Sequence, residues 1–242
     1  TIEGWRPAIE GGMSRRYLAA DLSMARWQTA SHSDKSLQVL LVVNPTRDLA
    51  GAEREGERIL KILRQPTMAS VSVVRESEAT RARLLEELAS GRYDVMHYAG
   101  HAGFDPIDRT RSGLICAGDE WLTGQDLSGL RLLPPLVFFN ACESARVRKK
   151  EAGSGGGNVG VAESLMRGGV ANFIGTYWPV GDTAALCFAD HFYRSIIEGE
   201  PLGVALCKAR SMLLAAKEGD WGDYIHFGNP MFQLRKKPPV TD

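Results

Sequence analysis

Short apolar runs alternate with amphipathic helical patterns along most of this 242-residue chain. The run Leu37–Val43 is almost continuously apolar, which is typical of a strand buried on both faces of a parallel sheet. In residues 48–63, which follow it, apolar side chains recur every three or four positions and predict a helix. Because this alternation repeats, we expect an α/β fold. It would be a three-layer sandwich with a mostly parallel central sheet of about six strands and helices on both faces.

The other predicted elements continue the alternation. Further strands are predicted at residues 70–75, 93–98, 135–140, 170–174 and 231–234. Helices are predicted at residues 78–90, 158–166, 182–197 and 202–216, and a small hairpin at 114–122. We expect one domain over residues 37–235, an N-terminal segment (1–36) packed on its side, and a frayed tail at 236–242. Residues 145–157 are basic and then glycine-rich, and predict a mobile loop.

Charge and composition exclude several classes of function. The chain has 29 Lys and Arg against 29 Asp and Glu, so no overall positive charge favours nucleic acid or an acidic membrane. Its apolar runs fall far short of the roughly 20 residues of a membrane-spanning helix. The four cysteines form no C-x-x-C pair, which argues against a disulfide framework or structural zinc. We expect a soluble cytoplasmic protein with reduced thiols, no cofactor, and no direct contact with nucleic acid or a membrane.

A histidine and a cysteine follow two neighbouring predicted strands. His101 comes after the strand 93–98, and Cys142 comes after the strand 135–140. Since ligands of open α/β sheets bind beyond the carboxyl ends of the strands, parallel neighbours would hold both side chains at one edge. A thiolate there can attack a carbonyl carbon while the imidazole exchanges protons, and the backbone N–H groups of Ala102 and Cys142 can hold the oxyanion. The pair alone leaves open whether Cys142 is a nucleophile or a small buried apolar residue.

Two motifs carry a resemblance to a known family. Residues 97–102 (HYAGHA) and 140–144 (NACES), in this order on these strands, are similar to the paired signatures of the CHAT family. CHAT proteins are caspase-like cysteine proteases related to caspases, separases and gingipains. The resemblance covers most of the chain and includes NPT at 44–46, GTYW at 175–178 and FGNP at 227–230.

This resemblance implies a cysteine endopeptidase that cleaves a protein substrate with a Cys–His dyad. Cys142 would be the nucleophile and His101 the proton carrier, with no third member required by the family. Ala102 stands where caspases commonly have glycine, and its backbone donor is kept. His97 is interpreted as a packed, hydrogen-bonded supporting residue. Family members are usually effector domains joined to sensor modules, several of them in bacterial defence, so a regulatory domain or subunit is expected as a partner.

Three further residues are candidates for substrate binding. Asp182 resembles the separase aspartate that receives a basic side chain before the scissile bond, and an N-cap of the helix that follows is the alternative. Asn140 stands where caspases carry the glutamine of their QAC signature, and Trp178 precedes Asp182 in the same segment. A basic preference together with the basic loop 145–157 suggests self-processing.

Other motif matches in the sequence are weaker evidence of function than the Cys–His dyad. The GGGNVG segment at 155–160 fits G-x-G-x-x-G but does not follow a strand directly, so a dinucleotide site is not predicted. The segment HYAGH at 97–101 lacks the glutamate of H-E-x-x-H, so no metal site is predicted. A catalytically silent binding or scaffold module derived from a protease is the alternative function. The presence of both His101 and Cys142 favours the enzyme.

Overall fold

Nine strands and six α-helices are assigned in the described part of the chain. This computed structural model describes residues 6–10, 12–15, 36–64, 69–103, 107, 112–127, 129–130, 132–140, 162, 165–166, 169–176 and 180–235. The strands are β1 (Leu37–Val43), β2 (Ala69–Arg75), β3 (Val95–Ala99), β4 (Ala102–Gly103), β5 (Gly113–Ile115), β6 (Trp121–Thr123), β7 (Leu136–Asn140), β8 (Asn172–Thr176) and β9 (Tyr224–Phe227). The helices are α1 (Pro7–Glu10), α2 (Ala50–Leu63), α3 (Arg81–Ala89), α4 (Gly124–Leu127), α5 (Asp182–Ile197) and α6 (Leu202–Ala215). Cys142, Trp178, loop 145–157 and the tail 236–242 lie outside the described residues.

Six strands form the central sheet, in the order β2-β1-β3-β7-β8-β9. All neighbouring strands are parallel except β9, which runs antiparallel to β8. The mostly parallel six-stranded sheet predicted from the apolar runs is therefore confirmed. Because the first five strands are parallel, their carboxyl ends share one edge, where the segments that follow β1, β3 and β7 meet.

Helices cover both faces of this sheet. Successive strand side chains point to opposite faces, so β1 places Val39 and Leu41 in one core and Leu40 and Val42 in the other. Helices α2, α5 and α6 close the first core, and α3 packs on the second. The predicted three-layer sandwich is confirmed.

The predicted last strand at residues 231–234 is wrong. These residues form a turn and an irregular segment, and the sixth strand of the sheet is β9, a few residues earlier. Phe232 and Leu234 are buried in the core, and the Leu202 amide of α6 donates to the Phe232 carbonyl. The alternating apolar pattern of 231–234 therefore reflects packing of an irregular segment against α6 rather than strand pairing.

A second, smaller sheet begins just after β3 in the chain. It is antiparallel, in the order β4-β5-β6, and β5 and β6 form the hairpin predicted at residues 114–122. β4 begins directly after His101, so the histidine lies at the junction of the two sheets. This junction fixes the backbone on both sides of His101.

The described N-terminal residues pack against α6 and β9. The guanidinium of Arg210 in α6 donates to the Ala8 carbonyl of α1, at 2.9 Å. The Arg15 amide donates to the His226 carbonyl, and the Gly228 amide donates to the Arg15 carbonyl. Residues 12–15 therefore lie along the free edge of β9.

Within the described ranges, no helix combines the length and the apolarity that crossing a bilayer requires.

His226 in β9 is a completely buried histidine that the fold keeps neutral. The Asn172 Nδ2 donates to the Pro135 carbonyl, so Asn172 Oδ1 is an acceptor and His226 Nε2, 3.3 Å away, carries the proton. His226 Nδ1 then accepts from Ser14 Oγ at 2.7 Å. Burial, with a smaller contribution from the Arg210 charge, lowers the pKa of His226 to about 3.

This histidine predicts a loss of stability in acid. At pH values above its ordinary pKa, both the folded and the unfolded chain hold it neutral. Between about pH 6.5 and 3 only the unfolded chain binds the proton, which costs up to about 1.4 kcal/mol of unfolding free energy per pH unit. Urea unfolding of wild type and His226→Gln at pH 7, 6, 5 and 4 measures this slope. The variant is expected to have the shallower slope. Equal slopes in wild type and His226→Gln would contradict a role of His226 in the acid sensitivity.

Candidate active site

Strands β3 and β7 end in register at the carboxyl edge of the sheet. The Cα of Ala99 pairs with that of Asn140, and the Gly100 amide donates to the Asn140 carbonyl at 3.2 Å. His101 follows Ala99 by two residues, and Cys142 follows Asn140 by two residues. The two strand ends that precede these residues lie side by side in the sheet, about 4.8 Å apart.

The backbone of His101 is fixed from two directions. The Tyr98 hydroxyl lies 2.8 Å from the His101 carbonyl oxygen and 2.6 Å from that of Ile115, and the Ile115 amide of β5 donates to the His101 oxygen at 3.0 Å. Glycine at position 100 makes this possible, because a Cβ there would lie 2.5 Å from the Tyr98 hydroxyl. The backbone of His101 is therefore held in place independently of the contacts of its side chain.

The side chain of His101 is hydrogen-bonded to a carboxylate. Its Nε2 lies 3.0 Å from Oδ1 and 3.1 Å from Oδ2 of Asp48. A carboxylate accepts, so Nε2 carries a proton, and Nδ1 is the nitrogen left to exchange a proton with a thiol. This contact was not predicted from the sequence, where Asp48 was assigned only to the start of a helix.

The loop between β1 and α2 places Asp48 under the histidine. The Asn44 amide donates to the Ala99 carbonyl, and Asn44 Oδ1 accepts from the Leu49 amide at 3.1 Å. Burial alone would raise the pKa of Asp48. Hydrogen bonds from Thr46 Oγ1 and His101, with the charge of His101, outweigh it and hold the pKa below its ordinary value. Asp48 is therefore ionised at neutral pH.

The backbone amide of Ala102 points away from the small sheet. In the antiparallel pairing of β4 with β5, Ala102 lies opposite Leu114, and the hydrogen bond between the strands runs from the Ile115 amide to the His101 carbonyl. This makes Ala102 and Leu114 a non-hydrogen-bonded pair, in which the N–H of each residue faces outward. The donor predicted to hold an oxyanion thus lies next to His101, outside the β4–β5 ladder.

The substrate-binding role predicted for Asn140 needs correction. Its side chain is 1% exposed and turned into the layer between the sheet and α2. Asn140 Nδ2 donates to Glu55 Oε1 at 2.9 Å, and its Oδ1 accepts from the Tyr224 hydroxyl at 3.3 Å. The shorter amide, compared with the glutamine of caspases, stays beneath the sheet edge. Asn140 therefore positions the end of β7 rather than a substrate.

His97 is a packed residue, as its place inside a strand predicts. It is fully buried, its Nδ1 lies 3.0 Å from the Tyr193 hydroxyl, and its ring stacks on Phe138. Its Nε2 is 3.1 Å from Glu55 Oε1 but is not aligned for a hydrogen bond. Helix α2 thus supports both halves of the site, through Asp48 just before its first turn and through Glu55 within it.

Asp182 lies at the same edge, against the first turn of α2. It is the first residue of α5, whose N-cap is Gly181, so Asp182 is not the N-cap of this helix. Its Oδ2 lies 2.6 Å from Arg54 Nη2, and both side chains are more than half exposed. A Cβ at Gly51 would lie 2.3 Å from Asp182 Oδ1, so only glycine admits the carboxylate there. The structure brings together His101, Ala102 and Asp48, and it places Asp182 against Gly51 and Arg54 of α2; Cys142 and Trp178 lie outside the described residues.

Three residues of this edge were missed by the sequence reasoning: Asp48, Glu55 and Tyr224. A sequence signal exists only for Asp48, which follows the apolar strand that neighbours β3. The rule that sites lie beyond strand ends applies to β1 as it does to β3 and β7. Glu55 and Tyr224 lie in a helix and a strand, and only the packing shows that they reach Asn140.

The fold is shared with known cysteine peptidases. Over 79% of this chain and 12% of the other, it is similar to separase in the Saccharomyces cerevisiae separase–securin complex, at 18% identity and a TM-score of 0.55. Over 94% of this chain and 51% of the other, it is similar to the Arg-specific cysteine proteinase gingipain R (RgpB), at 15% identity and a TM-score of 0.60. The same proteinase in the complex of Porphyromonas gingivalis RgpB pro- and mature domains gives the same score.

The chain thus spans 51% of the gingipain chain and 12% of the separase chain. No curated protein sequence matches it significantly. The sequence profile of the CHAT domain matches residues 11–232, which is nearly the whole chain and includes every element of the central sheet. The protein belongs to the CHAT domain family and has the caspase-like fold of separase and gingipain.

Proposed function

We propose that the protein is a cysteine endopeptidase that cleaves a protein substrate with Cys142 and His101. The pairing of Ala99 with Asn140 is the observation that carries this proposal, because the same two-residue step leads from each paired strand end to a dyad member. Membership of the CHAT family supports it as well. In this proposal Asp48 is the residue that orients His101.

In the proposed reaction, the Cys142 thiol gives its proton to His101 Nδ1, and the thiolate attacks the carbonyl carbon of the scissile bond. His101 returns the proton to the departing amine, so the C–N bond breaks and an acyl-enzyme forms. A water molecule then attacks the thioester and gives a proton to His101. The carboxylic acid leaves, and the cysteine recovers its thiol proton. The Asp48 carboxylate stabilises the imidazolium each time it forms.

Backbone donors stabilise the tetrahedral intermediates in this proposal. The Ala102 amide faces away from β5, and the Cys142 amide is the second donor. Such fixed N–H dipoles act on the charge that develops on the carbonyl oxygen. The role needs only a backbone N–H, so the alanine at position 102 does not weaken it.

A preference for a basic residue before the scissile bond is the finer part of the proposal. Asp182 is an exposed carboxylate at the edge that holds His101. The structurally similar gingipain R is Arg-specific by its name. A Lys or Arg side chain of the substrate would replace Arg54 at Asp182 through a charge-assisted hydrogen bond.

Arg54 therefore competes with a basic substrate side chain. Because exposed ion pairs contribute little, Arg54→Gln is expected to raise kcat/KM for Arg and Lys peptides only about two- to fivefold. Asp182→Asn is expected to lower it roughly tenfold and to leave Leu and Met peptides unchanged. Lys61→Gln, an exposed change on the same helix, is the control. If wild type prefers Leu or Met, Asp182 has no specificity role.

We propose further that activity is regulated by another domain or subunit, as part of a cytoplasmic effector system such as bacterial defence. The securin partner in the separase structure supports a regulatory partner. The three cysteines in the described ranges are unpaired, which fits a reducing compartment.

A positional fluorogenic peptide screen tests the proposed function. It compares Lys, Arg, Leu, Met and Asp before the cleaved bond, with wild type and Cys142→Ala side by side. Cleavage by wild type alone is expected. Equal cleavage by both proteins would exclude Cys142 as nucleophile, and no cleavage with an unreactive Cys142 thiol would favour the silent binding module.

Mapping fragments of the same two proteins by mass spectrometry tests self-processing of loop 145–157.

A further inference from the structure

A buried arginine that has no carboxylate partner among the described residues lines a small cleft between the N-terminal residues and β9. The cleft has a volume of about 280 Å³, and Arg210, Arg15, Asp223, Met13, Ala8 and Ile225 are among the residues that line it. We call it the Arg210 cleft. It opens beside Tyr224, which pairs with Thr176 at the carboxyl end of β8. The cleft therefore lies at the same sheet edge as His101, three strand spacings or about 14 Å from β3.

Arg210 is only 2% exposed. Its Nη1 donates to the Ala8 carbonyl and its Nη2 to the Tyr224 carbonyl, while its Nε has no hydrogen-bond partner in the part of the chain that the structure describes. Neither partner carries a negative charge. Burial lowers the pKa of Arg210 to about 10, which still leaves the guanidinium charged at neutral pH. A buried charge that only carbonyl dipoles balance is costly, and an anion in the cleft would offset this cost.

The lining narrows the class of anion. Arg15 also lines the cleft, with its guanidinium over the Phe227 ring, and Met13, Ala8 and Ile225 are apolar residues of the lining. Asp223 also lines the cleft but forms no ion pair with either arginine in the described structure. Its negative charge disfavours a doubly charged phosphate more than a singly charged group. A carboxylate on a short apolar stem fits both the charge and the wall.

We propose that the Arg210 cleft is a binding site for a carboxylate, supplied either by an acidic side chain of a bound polypeptide or by a small carboxylic acid. The guanidinium groups of Arg210 and Arg15 hold the carboxylate, and Met13 packs against its stem. This site is separate from the dyad, and it does not depend on whether the protein is a peptidase.

Ligand-observed NMR on the wild-type chain tests the site with matched probes. Butyrate is compared with its neutral isostere butyramide, and the capped tripeptide Ala-Glu-Ala with Ala-Gln-Ala. The acids are expected to bind at least about tenfold more tightly than the amides, since hydrogen bonds to charged groups are the stronger ones. A tripeptide that binds more tightly than butyrate identifies a polypeptide as the source, and the reverse identifies a small acid.

Three variants locate the binding in the cleft. Arg210→Gln removes the buried charge, and is expected to abolish butyrate binding if it folds. Met13→Asp adds a negative charge at a side chain that is 53% exposed, so it is expected to fold and to weaken butyrate binding about tenfold. Asp223→Asn is expected to tighten butyrate binding. Met212→Asp, at a 43% exposed position of α6 outside the lining, is the control and is expected to bind as wild type does.

Several results would overturn the proposal. Equal binding of acid and amide would show that charge is not recognised. Unchanged butyrate affinity in Met13→Asp and Asp223→Asn would place any binding elsewhere on the protein. Tighter binding of inorganic phosphate than of butyrate would show that the class of ligand is wrong.

Discussion

Replacement of Cys142 by alanine is expected to reduce peptide hydrolysis by more than roughly 10⁴-fold. The thiol is the group that forms the covalent bond to substrate in the proposed reaction, and alanine cannot form it. His101→Ala removes the proton carrier and is expected to cost roughly 10²- to 10⁴-fold in kcat. Initial rates on the best peptide of the positional screen measure both losses.

The controls separate chemistry from stability. Cys187→Ala and His191→Ala remove the same residue types from α5, where both side chains are partly buried and outside the site. They are expected to keep wild-type rates. All four variants are expected to unfold in urea near the wild-type midpoint. A Cys142→Ala protein that retains full activity would refute the nucleophile, whatever the controls show.

Asp48→Asn is expected to lower kcat by roughly 10²- to 10⁴-fold while KM changes little. The amide cannot stabilise the imidazolium, and its N–H can pair with the wrong tautomer of His101. Because Asp48 then no longer stabilises the charged imidazolium, the pH–kcat/KM profile is expected to change, which a purely structural defect would not produce.

Glu57→Gln is the matched control for Asp48. It removes one negative charge from an exposed position of α2, and it is expected to keep both the rate and the pH profile. Asp48→Glu keeps the carboxylate and is expected to recover part of the lost rate. If Asp48→Asn is as active as Glu57→Gln, the Asp48–His101 contact has no role in the reaction.

Much of the sheet was predictable because its strands are buried on both faces. Runs such as Leu37–Val43 and the end of β7 have few polar residues, and their pattern has no other common explanation. Helix α5 was predicted with its observed bounds, since its apolar face repeats over four turns. The end strand β9 was missed because it has one free edge and is short, while Phe232 and Leu234 offered a competing apolar pattern.

The polar part of the site was predictable only where it follows a strand end. That rule predicted His101 at this edge, where the structure has it, and Cys142, which stays a prediction. Asn140 was assigned to the substrate because the sequence does not tell which way the last side chain of a strand points. Its direction depends on Glu55 and Tyr224, two buried partners from distant segments. The ion pair between Asp182 and Arg54 likewise joins two residues that are 128 positions apart in the sequence.

The reactivity of the four cysteines tests the central claim most directly, because it needs no substrate. Burial raises the pKa of the Cys116 thiol to about 12 and raises those of Cys187 and Cys207, so these three are expected to react slowly with iodoacetamide at pH 7. Mass spectrometry is expected to find Cys142 labelled first in wild type, and at the rate of the other thiols in His101→Ala. Labelling of Cys142 that is no faster than that of Cys187, or that is unchanged in His101→Ala, would contradict an activated thiolate beside His101.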